Sequence, residues 1–240
     1  MTNSTEAYEG LKNEEAVRLY LKEEQMMSDY DIEDFMRVYD TLSISEVSEM
    51  LFEMIGKEIY RTYPPDMKTF IHDPYFLGTI YGDSIFPVWD SLLPEIYPAP
   101  LCKSYDEIIL STATRCGKST CIAISFAYEI MLLLCMINPA KTILGKASGS
   151  LVMGILSKDN ATAVGQVATD LYKILTLSPY FQTIIEGDLA FSNIEKKGVA
   201  ITDSILVKAG SSLATIVGTD LFACCLDEAN IGTTKIAAEK

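Results

Sequence analysis

Short apolar runs alternate with segments of helical periodicity from Tyr105 onward. Four runs predict buried strands, because each is mostly apolar and bounded by turn-forming residues. Two longer segments repeat apolar residues at the three- and four-residue spacing typical of a helix. The predicted strands are 107–111, 151–157, 201–208 and 221–226, and the predicted helices are 121–137 and 160–177. Strands alternating with helices favour an α/β fold, with a parallel sheet flanked by helices, over residues 105–240.

The segment 121–137 (CIAISFAYEIMLLLCMI) resembles a membrane span in composition. It is shorter than the roughly 20 residues that a bilayer requires, and Glu129 lies in its middle. We therefore expect a buried core helix and no membrane partner.

Two further regions precede this α/β core. Residues 1–60 are strongly acidic, and two capping patterns, Ser28-Asp29-Tyr30-Asp31 and Ser43-Ile44-Ser45-Glu46, predict helix starts within them. We expect a helical appendage, packed on the core or used to dock a partner. Residues 61–104 are rich in proline and aromatic residues, and predict an irregular connector. Its aromatic side chains are expected to pack on the core, although one of them could stack on a nucleotide base.

The chain of 240 residues has a net charge of −14, which argues against a surface coated in basic charge for DNA. A local basic channel remains compatible with that charge. Six cysteines without C-x-x-C spacing and a single histidine make a zinc site unexpected. The polar N-terminus has no apolar stretch, so we expect no signal peptide, free thiols and a reducing cytosol.

The segment 111–120 (STATRCGKST) lies between a predicted strand and a predicted helix. Gly117-Lys118-Ser119 matches the end of a phosphate-binding loop, although Thr112 stands where such loops carry their first glycine. Backbone amides and the helix N-terminus would face the phosphate oxygens, with Lys118 on the β and γ phosphates and Ser119 on Mg²⁺. The expected nucleotide-binding residues are Thr112, Ala113, Thr114, Arg115, Cys116, Gly117, Lys118, Ser119 and Thr120. A turn without function remains the alternative.

Two acidic residues follow the last predicted strand. Asp227 can hold Mg²⁺ as a Walker B aspartate does, and Glu228 can polarise the attacking water. An ordinary solvent-exposed strand end is the alternative. Arg115, inside the loop, can lie against the transferring phosphate as an arginine finger supplied in cis. A surface arginine paired with a nearby acid is its alternative. The expected catalytic residues are Glu228, Arg115 and Lys118, and the expected metal ligands are Ser119 and Asp227.

The order of these motifs resembles the large terminase subunit of tailed bacteriophages. The resemblance rests on the arginine before Gly117-Lys118-Ser119, on the absent first glycine, and on Asp227-Glu228-Ala229-Asn230. Asn160-Ala161-Thr162-Ala163 and Ser178-Pro179-Tyr180-Phe181 also fit, and the resemblance covers about residues 70–235. It implies a P-loop NTPase core of the RecA-like (ASCE) type that uses ATP and Mg²⁺.

The resemblance also implies a motor that drives double-stranded DNA into a procapsid in the host cell cytoplasm. Its partners would be a portal protein and a small terminase subunit, and its form a homo-oligomeric ring on the portal. The family's nuclease residues have no counterpart here, so we expect a core truncated after the acidic pair. Another RecA-like translocase or helicase, or a non-catalytic docking fragment, remains the alternative.

Overall fold

The computed structural model describes residues 18, 22, 28–39, 41, 43, 46, 59–100, 104–105, 107–111, 115–145, 149–157, 164–185, 189, 194 and 198–227. Its helices are α1 (Asp29–Tyr39), α2 (Met67–His72), α3 (Pro87–Ile96), α4 (Lys118–Cys135), α5 (Pro139–Leu144), α6 (Thr169–Leu177) and α7 (Pro179–Ile184). Its strands are β1 (Leu151–Leu156), β2 (Val199–Thr202), β3 (Ile205–Gly210) and β4 (Asp220–Leu226).

The four strands form one sheet in the order β2-β3-β1-β4. β1 is central and pairs in parallel with both β3 and β4, as the alternation of strands and helices predicted. The sheet is nevertheless mixed, because β2 pairs antiparallel with β3. The prediction of one strand over 201–208 was therefore wrong. A turn at Asp203 and Ser204 divides it, since short polar side chains favour a reversal over a continued strand.

The predicted strand 107–111 is also wrong. The segment forms no strand and does not belong to the sheet, and Ile109 is 82% exposed. β1 already has a neighbour on each side, so this segment could join the sheet only at an outer edge. An apolar run specifies a strand only when a partner strand is available to pair with it.

The predicted core helix is confirmed as α4, which follows directly on Gly117. It is apolar on nearly all sides, and most of its residues are buried in the core, where it packs against α2, α3 and α6. Among the described residues it is the one helix long and apolar enough to cross a membrane, and 67% of it is buried inside the protein. Glu129 is 6% exposed in the middle of this helix and accepts a 3.0 Å hydrogen bond from the Tyr97 hydroxyl. A buried carboxyl needs such a donor.

The connector 61–104 is more regular than its prolines suggested, and the prediction of an irregular segment was wrong. Asp66 caps α2 by accepting a hydrogen bond from the Thr69 amide, and Pro87 occupies the first turn of α3, where it needs no amide partner. The expected aromatic packing is confirmed at Phe70, which is fully buried and whose ring lies 5.3 Å from that of Tyr128 on α4. The connector therefore covers one side of the core helix.

The helix predicted over 160–177 is described from Val164. Its described part begins with a π-helical segment, Val164–Ala168, and continues as α6 to Leu177. Ser178 ends α6, and Pro179 begins α7.

Of the acidic appendage, the structure describes α1, which starts after Ser28 as the capping pattern predicted. The second capping pattern is also confirmed. The Glu46 carboxylate accepts from the Ser43 amide at 2.8 Å, and the Glu46 amide donates to Ser43 Oγ. The other residues of the second predicted appendage helix lie almost entirely outside the described part.

Candidate functional site

The sign of φ alternates along the backbone that leads into α4. φ is 62° at Arg115 and 78° at Gly117, while Cys116 between them has a negative φ. Where right- and left-handed residues alternate, successive amides form a concavity that attracts anions. Arg115 adopts the left-handed conformation at a cost of about 1 kcal/mol, which glycine at position 117 avoids.

Gly117 is the N-cap of α4 and supplies no side-chain hydrogen bond to the helix. The first-turn amides of an 18-residue helix therefore receive no side-chain cap from that position. A helix N-terminus carries about half a positive elementary charge and favours phosphate oxygens. Lys118 and Ser119 lie in this first turn, so the turn also carries an ammonium group and a hydroxyl group.

The aromatic residues of the connector hold this loop from one side. The Trp89 indole Nε1 donates a 2.6 Å hydrogen bond to the carbonyl oxygen of Cys116. A Cβ atom on Gly117 would lie 2.9 Å from Phe86 Cδ2 and 3.1 Å from Trp89 Nε1, so these side chains would have to shift. Gly117 is thus favoured both by its φ angle and by its neighbours. From the sequence, Phe86 and Trp89 were expected only to pack on the core, and no sequence signal linked them to the loop.

Two hydroxyl groups at the start of α4 contact the helix that follows β1. Ser119 Oγ donates to Gln166 Oε1 at 3.4 Å, and Thr120 Oγ1 donates to Asp170 Oδ2 at 3.2 Å. Sequence reasoning missed both partners. Their signal was available, since Gln166 and Asp170 are polar residues four apart on a segment whose apolar residues face the core.

The carboxylate of Asp170 influences a second neighbour. Burial, and after it the negative charge of Asp170, raises the pKa of Tyr81 to about 12. Lys173 forms an ion pair of 3.6 Å with the other oxygen of Asp170. Asp170 therefore joins α6 to the start of α4 and lies near the connector residue Tyr81.

Asp227 lies at the carboxyl end of β4. Its amide donates a 2.8 Å hydrogen bond to the carbonyl oxygen of Leu156, which extends the pairing of β4 with β1 by one residue. Burial, followed by the negative charge of Asp227, raises the pKa of the Cys225 thiol to about 12. The Asp227 carboxylate therefore acts electrostatically on the buried Cys225 thiol.

Ser157 lies at the same end of the sheet, directly after β1. It is 8% exposed, and its Oγ has no hydrogen-bond partner among the described residues. Buried hydroxyls are nearly always paired, so an unpaired one beside Asp227 marks a polar position that can still accept a partner.

The structure brings Arg115 to Thr120 together as one contiguous loop and helix start, with Arg115 exposed and the others half-buried. It places Asp227 on a different element, and no direct hydrogen bond joins Asp227 to Ser119 within the described part. Thr112, Ala113, Thr114 and Glu228 lie outside the described residues, so their roles stay predictions.

Family models, curated proteins and solved structures, compared with this chain, give no match. The described residues contain no cluster of three or more His, Cys, Asp or Glu side chains that could bind a metal by themselves. What the loop offers chemically is a set of backbone amides, a helix N-terminus and an ammonium, which together suit an oxyanion. The Ser119 hydroxyl and the Asp227 carboxylate are hard oxygen donors.

Proposed function

We propose that this chain is an ATPase and forms the ATP-hydrolysing portion of a viral DNA-packaging terminase. The observation that carries the proposal is the left-handed backbone at Arg115 and Gly117, directly followed by Lys118 and Ser119 on a helix without a side-chain cap at Gly117. Amides, helix charge and ammonium then act on the same phosphate. The terminase assignment rests on the order of the sequence motifs, and the structure adds to it an α/β fold with a mixed four-stranded sheet.

Each residue has a definite part in this proposal. Lys118 binds the β and γ phosphates, and the exposed guanidinium of Arg115 stabilises charge on the transferring phosphoryl group. Glu228 accepts a proton from the attacking water and orients it. Ser119 and Asp227 would hold Mg²⁺, which neutralises phosphate charge, and their oxygens are the donors that this ion prefers. The motor would act on double-stranded DNA, as a ring on a portal protein with a small terminase subunit.

Nucleotide binding is tested by the shift in melting temperature caused by a non-hydrolysable ATP analogue with Mg²⁺. At a concentration 100 times the Kd, binding stabilises the native state by about 2.7 kcal/mol, which raises Tm by roughly 5–10 °C for a chain of this size. Lys118→Ala should abolish the shift. Lys141→Ala, which removes an exposed lysine from α5, is the matched control and should retain it. An equal shift in the Lys118→Ala variant, or none in the unchanged chain, contradicts the proposal.

The kind of motor is tested with DNA. A terminase motor should release phosphate faster when duplex DNA is present and should displace a third strand from a triplex without separating the duplex. Separation of the duplex strands would instead indicate a helicase.

Glu228→Gln should keep the nucleotide-dependent shift in melting temperature while ATP turnover falls about 10²-fold or more. If nucleotide causes no shift but the chain binds a portal or small subunit, a docking module is the correct assignment.

A further inference from the structure

Two adjacent hydroxyls in the first turn of α4 form hydrogen bonds to the helical segment that follows β1. The acceptor is charged in one of these bonds and neutral in the other. Thr120 Oγ1 donates to Asp170, whose second carboxylate oxygen already faces Lys173. Ser119 Oγ donates to Gln166, a neutral amide whose side chain is exposed. The Thr120 bond thus forms part of a charged cluster, whereas the Ser119 bond involves an acceptor at the solvent-facing side of the site.

Gln166 lies in the middle of the π-helical segment Val164–Ala168. π-helical turns are rare and occur frequently at functional sites, because the extra residue redirects a side chain that an α-helix would aim elsewhere. The next two residues, Val167 and Ala168, are 1% and 0% exposed and anchor the segment in the core. The exposed Gln166 side chain is therefore presented from a fixed backbone.

The hydrogen bond from Ser119 to Gln166 matters if the Ser119 hydroxyl binds a metal ion. A serine oxygen binds a cation through a lone pair, so its proton must point away from the ion and toward an acceptor. Side chains that hydrogen-bond to metal ligands fix the orientation of those ligands, and their removal typically lowers metal affinity 10- to 100-fold. Gln166 Oε1 is the acceptor that Ser119 already uses.

We propose that Gln166 is a positioning residue for magnesium: it accepts a hydrogen bond from the Ser119 hydroxyl and thereby aims the lone pair of Ser119 Oγ at the ion that accompanies the nucleotide. This inference rests on the proposed ATPase function. The π-helical segment, which carries Gln166, would then determine the Mg²⁺ concentration that nucleotide binding requires. Gln166 acts through Ser119, so its loss changes how much Mg²⁺ is required and leaves the metal-free interaction of the phosphates with Lys118 and the loop amides intact.

The test is a Mg²⁺ titration of the binding of a fluorescent ATP analogue, followed by anisotropy. Gln166→Ala should raise the Mg²⁺ concentration that gives half-maximal binding by about 10-fold or more. Its affinity in EDTA should match that of the unchanged chain. Gln166→Glu retains an acceptor oxygen and should restore the low Mg²⁺ requirement. Gln182→Ala, which removes a second exposed glutamine on α7, is the matched control and should leave both affinities unchanged.

The outcomes separate this inference from the proposed function. If the unchanged chain binds the analogue and Lys118→Ala does not, but Gln166→Ala keeps the normal Mg²⁺ requirement, this inference is wrong and the ATPase proposal survives. An equal loss of affinity with and without Mg²⁺ would show that Gln166 merely shapes the loop, which also overturns it. If the unchanged chain does not bind the analogue under either condition, both proposals fail.

Discussion

The indole Nε1 of Trp89 donates a 2.6 Å hydrogen bond to the carbonyl oxygen of Cys116, so the connector is directly joined to the loop in front of α4. Trp89 is 3% exposed and is the single tryptophan of the chain. Its emission therefore reports on one location, the underside of the proposed phosphate-binding loop.

We expect the intrinsic fluorescence to change when ATP and Mg²⁺ are added, because phosphate binding at the loop amides alters the environment of the Cys116 carbonyl and hence of the indole. The measurement is a titration of emission intensity and wavelength at fixed protein concentration. The Lys118→Ala variant keeps the tryptophan and should show no change. Saturable binding by calorimetry without any change in emission would contradict the proposed location of the nucleotide.

Alanine substitutions at two glycines with left-handed conformations distinguish the cost of backbone strain from the cost of steric contact. Gly117→Ala places a methyl group against Phe86 and Trp89, in addition to the cost of φ at 78°. Gly145→Ala, at the end of α5 with φ at 63°, meets no atom within 4 Å. We expect Gly145→Ala to lower the free energy of unfolding by about 1 kcal/mol. Gly117→Ala should lower it by about 3 kcal/mol, because overpacking adds to the strain.

Urea denaturation of both variants gives these differences directly. Equal losses in the two variants would mean that Phe86 and Trp89 do not press on Gly117. A larger loss for Gly145→Ala would contradict the packing described around the loop.

The elements predicted correctly are those whose residues specify them locally. α4 was predictable because a long apolar segment follows Gly117, and β1 because all six of its residues are buried between two covered faces. The segment 107–111 looks equally apolar, but strand formation depends on a partner whose identity is not written in the segment itself. The division of 201–208 depended on Asp203 and Ser204, whose turn preference outweighed the apolar residues around them.

The candidate site was predictable only where the residues are contiguous. Gly117-Lys118-Ser119 carries its own chemistry, and the position of these residues at the start of α4 followed from the sequence. The contacts of Trp89 with Cys116 and of Gln166 with Ser119 join residues 27 and 47 positions apart. Such contacts depend on how the helices pack, which periodicity does not reveal. Gln166 was further hidden because a π-helical segment interrupts the helical period there.

The buried pair of Tyr97 and Glu129 is expected to contribute to stability. Tyr97→Phe removes a hydroxyl that donates to a carboxyl in the core, so we expect the free energy of unfolding to fall by about 1–3 kcal/mol. Tyr75→Phe is the control, because the Tyr75 hydroxyl makes a 3.4 Å contact with Thr183 at an exposed position. That change should cost less than about 0.5 kcal/mol. Similar losses in the two variants, measured by urea denaturation, would argue against a buried Tyr97–Glu129 bond.

Cysteine reactivity should distinguish the loop from the core. Burial raises the pKa of Cys121 from its ordinary value of 9.0 to about 12, and burial together with the Asp227 charge raises that of Cys225 equally. The thiolate is the reactive form, so both thiols should resist iodoacetamide at pH 8 in the native protein. Of the five cysteines that the structure describes, Cys224 is exposed and Cys116 is half-buried in the loop, and we expect these two to be labelled before the buried ones.

The raised pKa values also predict that the free energy of unfolding falls as the pH becomes alkaline. The native state keeps protons on Cys121 and Cys225 that the unfolded chain loses above pH 9. The stability linked to these protons is therefore fully present below pH 9 and is lost as the pH rises toward about 12. Urea denaturation at a series of pH values should show this decline, and a constant free energy of unfolding between pH 9 and 11 would contradict it.

Bound nucleotide should protect the Cys116 thiol, but not the Cys224 thiol, from alkylation. Cys116 lies between the two residues with positive φ, so phosphate bound at the loop would cover it, whereas Cys224 lies on β4. With ATP and Mg²⁺ at 100 times the Kd, only about 1% of the sites remain empty, and labelling of Cys116 should slow by up to about 100-fold. Peptide mapping by mass spectrometry after timed alkylation measures each thiol separately, with Cys224 as the internal control. Protection should disappear in the Lys118→Ala variant. If ATP slows Cys224 as much as Cys116, or leaves Cys116 unchanged, the nucleotide does not occupy this loop.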